Sequence, residues 1–152
     1  MPRLDYRNDS TVSEHIVEEI LESSLESVDE AEDLVLKEAR NLGFGEDDLH
    51  EIGISVRECM VNAVVHGNRY NSRKKVHLKV TRAADRLEIL IGDQGEYFAV
   101  SDIPDPLAEE NLMKQSGRGL LMMQAYMDEF EMRPSQPTGT EVRLVKYAAK
   151  KP

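Results

Sequence analysis

Apolar and polar residues alternate along two neighbouring stretches near the middle of the chain, 75–82 (KVHLKVTR) and 86–93 (RLEILIGD). A period of two is typical of half-buried strands, and the Ala84-Asp85 turn between the stretches predicts a hairpin. Asp93 has the same parity as the apolar residues of its strand. Its carboxylate is therefore expected on the core side, at the strand end, where it needs hydrogen-bond donors.

The last part of the chain carries two further strand patterns. Residues 140–147 (TEVRLVKY) place Thr140, Val142 and Leu144 on one face, and residues 129–133 predict a shorter strand before them. Two prolines and a glycine between these stretches indicate a turn.

Residues 15–22 (HIVEEILE) fit two structures. Ile16, Val17, Ile20 and Leu21 are spaced as on one face of a helix, but the stretch is short enough to be an edge strand. The spacing alone leaves both structures open.

The first clear helix is expected from Val28 to Gly43. Ser27, followed three residues later by Glu30, has the form of a capping box, in which the two side chains satisfy unpaired amides at a helix start. Gly43 can take the left-handed conformation that ends many helices.

A second helix is predicted from about Glu46 to His66. It opens with three acidic residues, which suit the positive end of the helix dipole. Glu58 and Asn62 are four residues apart, so they lie on one side of the helix, at the border of its apolar stripe. The stripe consists of Leu49, Ile52, Val56, Cys59 and Ala63.

Residues 94–117 predict a long connection that contains two prolines and a short helical patch at 107–113. A connection of this length in a small domain is usually functional or mobile. The segment 116–119 (SGRG) then opens a helix over 120–126, whose Leu and Met residues are expected in the core.

The charge of the chain is unevenly distributed. The net charge is −10, yet residues 1–55 carry 16 acidic and 4 basic side chains, whereas residues 56–152 carry 13 and 15. The acidic first part argues against nucleic acid as a direct partner. It suits a basic protein partner or, more simply, a solvated helix face. An anionic nucleotide fits better in the second part.

Cys59 is the only cysteine, which excludes an internal disulfide and fits a reducing compartment. Within a helix it is expected to be a buried, inert thiol. No apolar run reaches membrane-spanning length and the amino terminus lacks a signal-peptide core, so we expect a cytoplasmic protein without a membrane partner. We expect one domain over residues 1–152, with flexible ends at 1–13 and 148–152.

Four short motifs follow one another along the chain: ECMVNAVVHGN at 58–68, DQGEYF at 93–98, SGRGL at 116–120 and GTEVRL at 139–144. Each is weak alone, but together they resemble the ATP-binding domain of the GHKL superfamily, shared by gyrase and histidine kinases. The chain is most similar to the small stand-alone anti-sigma-factor serine kinases of bacterial partner-switching systems. The resemblance covers nearly the whole chain and favours a strand for 15–22.

The resemblance implies an adenine site at Asp93, Gly95 and Thr140. Asp93 matches the aspartate that accepts a hydrogen bond from the adenine amino group, and Thr140 matches a threonine beside the same edge. Gly95 would let the backbone approach the base.

The resemblance also implies where the phosphates bind. Asn62 matches the asparagine that holds Mg²⁺, an ion that takes few protein ligands. Gly117 and Gly119 match lid glycines, whose backbone amides close on phosphates at a helix start. Arg118 and Lys114 are further candidates for pairing with phosphate. The full nucleotide-binding set is Asn62, Asp93, Gly95, Ser116, Gly117, Arg118, Gly119, Leu120 and Thr140.

Glu58 matches the catalytic glutamate of the family. In a serine kinase it would accept or position the proton of the incoming serine hydroxyl, while the transfer otherwise depends on alignment and charge neutralisation. His66, on the same helix, is interpreted as a packed or helix-terminal histidine.

One position departs from the family pattern. The second glycine of Asp-x-Gly-x-Gly-Phe is Tyr97 here, and tyrosine neither adopts positive φ readily nor leaves space. This departure indicates an altered lid hinge or ribose side. It motivates an alternative function, a non-catalytic nucleotide-binding or protein-binding switch of the same fold.

The expected fold is an α/β two-layer sandwich of the GHKL ATPase type, with helices on one face of a mixed, mainly antiparallel sheet. The expected function is an ATP- and Mg²⁺-dependent serine kinase that sequesters a sigma factor and phosphorylates an anti-anti-sigma (STAS-type) antagonist. The resemblance alone also implies a homodimer. A histidine-kinase catalytic domain is disfavoured, because the 152 residues contain no upstream helical hairpin with a phosphoacceptor histidine.

Overall fold

In the computed structural model, which describes residues 14–96 and 115–148, five strands form one sheet in the order β1-β2-β3-β5-β4. Every pairing among the described strands is antiparallel. The predicted two-layer, mainly antiparallel class is confirmed. The strands are β1 (His15–Leu21), β2 (Val76–Arg82), β3 (Arg86–Gly92), β4 (Glu129–Pro134) and β5 (Thr140–Tyr147).

The alternation that predicted the central strands corresponds to burial. The even-numbered apolar residues of β2 and β5 and the odd-numbered ones of β3 face the helices and are at most 9% exposed. These residues are Val76, Leu78, Val80, Leu87, Ile89, Ile91, Val142 and Leu144.

Residues 15–21 form the edge strand that the family resemblance favoured, and the helical reading of their spacing is wrong. Alternation along the strand places Ile16 and Ile20 on one face and Val17 and Leu21 on the other. Ile16 and Ile20 are 50% and 64% exposed, while Leu21 is buried. The four apolar residues therefore never share one face.

The described helices cover one side of the sheet and close the hydrophobic core. They are α1 (Leu25–Leu42), α2 (Glu46–Val61), a π-helical segment that continues α2 (Asn62–Gly67), and α3 (Gln115–Tyr126). Among the described residues, no helix is both long and apolar enough to cross a membrane.

Helix α1 begins three residues before the predicted start. Ser24, not Ser27, is the extended residue before the helix (φ −137°, ψ 158°), and the Ser27 N–H donates to the Ser24 carbonyl within the first turn (3.1 Å). The capping-box prediction failed because Ser27 is 1% exposed and packs in the interior. The predicted end is confirmed: Gly43 is left-handed, and its N–H bonds to the carbonyls of Ala39 and Arg40.

The end of the second helix is wider than an α-helix. The Asn68 N–H donates to the Ala63 carbonyl, five residues back (2.8 Å), as in a π-helix. Such π-helical turns are rare and often occur at functional sites. The predicted extent of the helix, to about His66, is confirmed, but its π-helical end was not predicted.

Helix α3 begins at Gln115, not after residue 119 as predicted. Residues 116–119 therefore form its first turns. Each glycine costs a helix about 1 kcal/mol relative to alanine. The packing of Gly119 against α2, described below, offsets this cost.

Lys146 ties the helices to β5 from inside the molecule. It is 8% exposed, and its Nζ donates to Glu51 Oε1 of α2 (3.0 Å) and to the carbonyl of Tyr126, the last residue of α3. Ala148, the first residue of the predicted flexible carboxy-terminal end, is held by a hydrogen bond from its N–H to the Asp85 carbonyl (2.9 Å), and residues 149–152 lie outside the described part of the chain. The predictions for 1–13 and for the helical patch at 107–113 lie outside the described residues.

Candidate functional site

The end of β3 holds the carboxylate of Asp93. Its Oδ1 accepts hydrogen bonds from the backbone N–H groups of Gly95 (2.9 Å) and Thr140 (3.2 Å). The Asp93 N–H in turn donates to the Thr140 carbonyl (2.9 Å). Asp93 and Thr140 are only 6% and 3% exposed, so their predicted inward position is confirmed. Within the described residues these bonds use Oδ1, while Oδ2 lies beside Gly67.

Burial raises the pKa of the Asp93 carboxyl above its usual range. The N–H groups of Gly95 and Thr140 and the charge of Lys74 lower this pKa, but the net direction is upward. The surroundings therefore disfavour the ionised form. A ligand that donates a hydrogen bond to the carboxylate stabilises that form.

Gly67 and Gly95 bring the end of the π-helical segment against the Asp93 turn. A Cβ on Gly95 would overlap the Gly67 carbonyl, and a Cβ on Gly67 would overlap the Asp93 carboxylate. At position 95 only glycine fits without backbone movement, whereas a larger residue at position 67 would displace the Asp93 side chain. Gly95 thus allows a close approach to the backbone of Gly67, whereas its approach to the adenine base stays a prediction.

A small cavity lies between the sheet and the helices beside Asp93. Apolar walls with a few convergent polar groups are typical of small-molecule sites. A flat apolar ring with a hydrogen-bond donor on its edge fits this lining. The polar lining residues are Asn62, Asp93 and Thr140, and the apolar ones are Cys59, Ala63, Ile91, Leu120, Met123, Met132 and Val142.

Glu58 lies one helical turn before Asn62, against the start of α3. Both side chains are half-buried. A Cβ on Gly119 would overlap the Glu58 carboxylate, so the glycine lets the α3 backbone pack directly on this side chain. Glu58 therefore connects the cavity helix with the first turns of α3.

The structure brings four of the predicted site residues to the cavity: Asn62, Asp93, Leu120 and Thr140. Glu58 and Gly119 contact each other nearby. The first turn of α3 contains the backbone of Ser116, Gly117 and Arg118. The structure does not describe the side chains of this turn. Lys114 and Tyr97 lie outside the described residues.

Cys59 and His66 have the positions expected of unreactive residues. Burial, and then the charge of Asp93, raise the pKa of the Cys59 thiol far above its usual range. The thiol therefore stays protonated and serves as an apolar wall of the cavity. His66 is exposed near the end of the π-helical segment.

Sequence reasoning missed the apolar walls as part of a site. Ile91, Met123 and Val142 were assigned to the core, yet they line the cavity. The parity of β3 contained a signal, because Ile91 precedes Asp93 by two residues on the same face. Within the described residues, no group of three or more His, Cys, Asp or Glu side chains is placed to hold a metal ion. The metal candidate is the Asn62 amide.

Residues 21–146 match the family of histidine kinase-like ATPase domains, and the chain belongs to this family. It is similar to the serine-protein kinase RsbW of Bacillus licheniformis, with 31% identity over 115 residues that cover 72% of this chain and 71% of the relative. It is also similar to the anti-sigma F factor of Bacillus subtilis strain 168, with 32% identity over 108 residues that cover 68% and 73%. The family predicted from the four motifs is confirmed.

Proposed function

We propose that this chain is an ATP-dependent protein serine kinase that also sequesters a sigma factor. The observation that carries the proposal is the meeting of Asn62, Asp93 and Thr140 on one cavity, with Glu58 one turn before Asn62. The names of the relatives, a serine-protein kinase and an anti-sigma F factor, support it.

The adenine ring of ATP is proposed to lie between the apolar walls of the cavity. Its amino group would donate to the Asp93 carboxylate, whose Oδ1 already accepts two backbone N–H groups. This prior bonding orients the carboxylate before the nucleotide binds, which reduces the ordering required on binding. Thr140 supplies one of the two N–H groups and lines the same cavity.

The phosphates are proposed to bind between Asn62 and the start of α3. The amide oxygen of Asn62 is suited to Mg²⁺, which would neutralise phosphate charge and which prefers oxygen ligands. The first turn of a helix has unpaired N–H groups at the positive end of its dipole, and here it contains Ser116, Gly117 and Arg118. Gly119 and Leu120 follow in the same helix.

Glu58 is proposed as the catalytic residue. The serine oxygen of the substrate attacks the γ-phosphorus, the bond to the bridging oxygen of ADP breaks, and Glu58 accepts the serine proton. The carboxylate is half-buried, and its packing on Gly119 limits its orientation. Orientation of the nucleophile is the main protein contribution to this class of transfer.

The proposed protein partners are a sigma factor and a STAS-type anti-anti-sigma antagonist that carries the acceptor serine. These partners imply action in the cytoplasm. The exposed Ile16 and Ile20 on edge strand β1 support assembly with a second copy of the chain. Light scattering should therefore give twice the 17.2 kDa mass of one chain, and lysine at both positions should give a single copy.

The kinase activity is tested by mixing the chain with radiolabelled ATP, Mg²⁺ and a cognate anti-anti-sigma protein. We expect label on one serine of the antagonist, its loss with Glu58→Ala, and its retention with Asp47→Asn, an exposed acid on the same helix. Full transfer by the Glu58→Ala variant would remove the role given to Glu58.

Calorimetry with ATP and Mg²⁺ separates the kinase from a protein-binding switch. Binding without transfer to any serine would favour a non-catalytic nucleotide-binding switch. An absence of binding at millimolar nucleotide would favour a switch that acts by protein contact only.

A further inference from the structure

A buried asparagine outside the predicted site, Asn68, connects three parts of the chain. It is 1% exposed. Its Nδ2 donates to Ser23 Oγ (2.9 Å) and to the Lys75 carbonyl (3.0 Å), and its Oδ1 accepts from the Gln94 N–H (2.8 Å). Ser23 precedes α1, Lys75 precedes β2 and Gln94 follows β3. The amide thus uses both donor hydrogens and its acceptor, as a buried amide requires.

The bond to Gln94 acts on the turn that carries Asp93. Gln94 lies between Asp93 and Gly95, whose N–H is one of the two donors to the Asp93 carboxylate. The Gln94 side chain also accepts from the Lys75 N–H (2.6 Å). The turn is therefore tied twice to the loop that follows the π-helical segment.

The backbone around Asn68 makes its amide a fixed anchor. Its N–H donates to the Ala63 carbonyl (2.8 Å) and its carbonyl accepts from the Asn71 N–H (3.0 Å). The next two residues, Arg69 and Tyr70, are left-handed, with φ of 52° and 58°. Side chains other than glycine rarely adopt this conformation, and it persists only where the surroundings hold it. Asn68 supplies such support immediately before them.

We propose that Asn68 is a positioning residue for base recognition: its Oδ1 holds the Gln94 peptide and thereby fixes the direction of the Asp93 carboxylate toward adenine. The inference rests on the proposed function for its nucleotide part. Its structural part, the dependence of the Asp93–Gly95 turn on Asn68 Oδ1, stands independently of any ligand.

Three variants separate the Gln94 bond from the other two bonds of the amide. Asn68→Ala removes all three. Asn68→Asp keeps an acceptor for the Gln94 N–H but loses both donors, so it isolates the bond that the proposal invokes. Ser23→Ala, the matched control, removes one partner of the amide and leaves the Gln94 bond in place.

Hydrogen exchange of the free protein, measured by NMR, tests the structural part. We expect the Gln94 amide to exchange at least about tenfold faster in Asn68→Ala, because its acceptor is gone, and to stay protected in the other two variants. The Asp93 amide, bonded to Thr140, is the internal reference. Unchanged exchange of Gln94 in Asn68→Ala, relative to that reference, would overturn the proposal.

Calorimetric titration with ATP and with GTP tests the nucleotide part. Asn68→Ala should lower the preference for ATP over GTP by roughly tenfold, whereas Ser23→Ala should keep it even if its melting temperature falls. Asn68→Asp should restore the preference for ATP over GTP. If the Asn68→Asp variant does not fold, the exchange of the Gln94 amide in Asn68→Ala tests the proposal instead. A wild-type preference in Asn68→Ala would contradict the proposal. A wild-type chain that binds neither nucleotide would instead remove the proposed function and the selectivity role together, with the turn still tested by exchange.

Discussion

The two ends of the proposed nucleotide site are built by different means. At the base end, backbone groups of Gly95 and Thr140 hold the Asp93 carboxylate, and the chain segments approach so closely that only glycine fits at position 95. At the phosphate end, Glu58 and Asn62 are half-buried side chains on a helix, and Glu58 packs against Gly119.

Nucleotide binding therefore depends on buried backbone hydrogen bonds at the base end, whereas phosphoryl transfer depends on half-buried side chains at the phosphate end. The base end is rigid because a displaced backbone would leave buried polar groups unpaired. The phosphate end can change a side chain without disturbing that network. Substitutions at the phosphate end should therefore affect turnover, and those at the base end should affect nucleotide affinity, with a loss of stability where they displace the backbone.

The largest effect is expected for Glu58→Gln. The amide keeps the shape of the carboxylate but cannot accept the serine proton, so kcat should fall by roughly 10²- to 10⁴-fold. Calorimetric ATP affinity and the melting temperature should stay near wild type, since the base end is untouched. Equal losses of ATP affinity and kcat would contradict the separation of binding at the base end from chemistry at the phosphate end.

Asp93→Asn should show the opposite pattern. The amide can present either an oxygen or an NH₂ group to the adenine amino group, and it loses the charge, so ATP affinity should fall roughly 10- to 100-fold. Thermal stability should not fall, because the buried carboxylate is disfavoured by its surroundings and the amide oxygen can still accept from Gly95 and Thr140. A large drop in melting temperature would show that the charge itself stabilises the turn.

Gly95→Ala tests the close approach at the base end. The added methyl would overlap the Gly67 carbonyl, and overpacking of this kind lowers stability by about 1–3 kcal/mol. For a chain of this size the melting temperature should fall by roughly 3–10 °C. Gly92→Ala is the matched control at the end of the same strand, because a Cβ there meets only Ser135 Oγ and the Thr140 carbonyl at ordinary contact distances (3.8 and 3.9 Å). Similar shifts in the two variants would argue against the close approach as the cause.

The smallest effect concerns pH. The raised pKa of Asp93 means that the folded state holds this proton more tightly than the unfolded chain does. Its contribution should therefore favour folding below the ordinary value of 3.8 and decline as pH rises from 3.8 through the raised folded-state pKa. Urea unfolding of the wild type and Asp93→Asn across this range measures the contribution as a difference. Identical pH profiles would show that the base end carries no buried-charge penalty.

Much of the fold could be predicted because burial repeats locally. Alternation located β2, β3 and β5, and it also placed Asp93 and Thr140 inward. The starts of α1 and α3 could not be predicted in the same way. Ser24 and Ser27 are equally good capping residues by type, and the tertiary packing of Ser27 decides between them. The segment 116–119 was predicted to open a helix over 120–126, whereas its residues are already helical and Gly119 packs against Glu58 of α2.

A site residue could be predicted where its own place on one strand or helix determines its direction. The contacts between site residues could not be predicted, because they join residues that are distant in sequence. Gly67 approaches Gly95 across 28 positions, and Asn68 reaches both Ser23 and Gln94. No local period marks such contacts. The π-helical segment could not be predicted either, because its residue types do not distinguish it from an α-helix.

That segment constrains how the chain can change in length. Insertions and deletions are normally absorbed in surface loops, far from binding residues. Here the helix is wide over Asn62–Gly67, so the loss of one residue could be accommodated by a return to ordinary α-helix. The residues after the segment would keep about the same direction, because a π-helical turn holds one residue more than an α-helical turn. The loss of one residue within α2 would instead turn Asn62 and Gly67 by about 100° around the helix axis, away from Asp93, so a change of length is tolerated inside the π-helical segment and not before it.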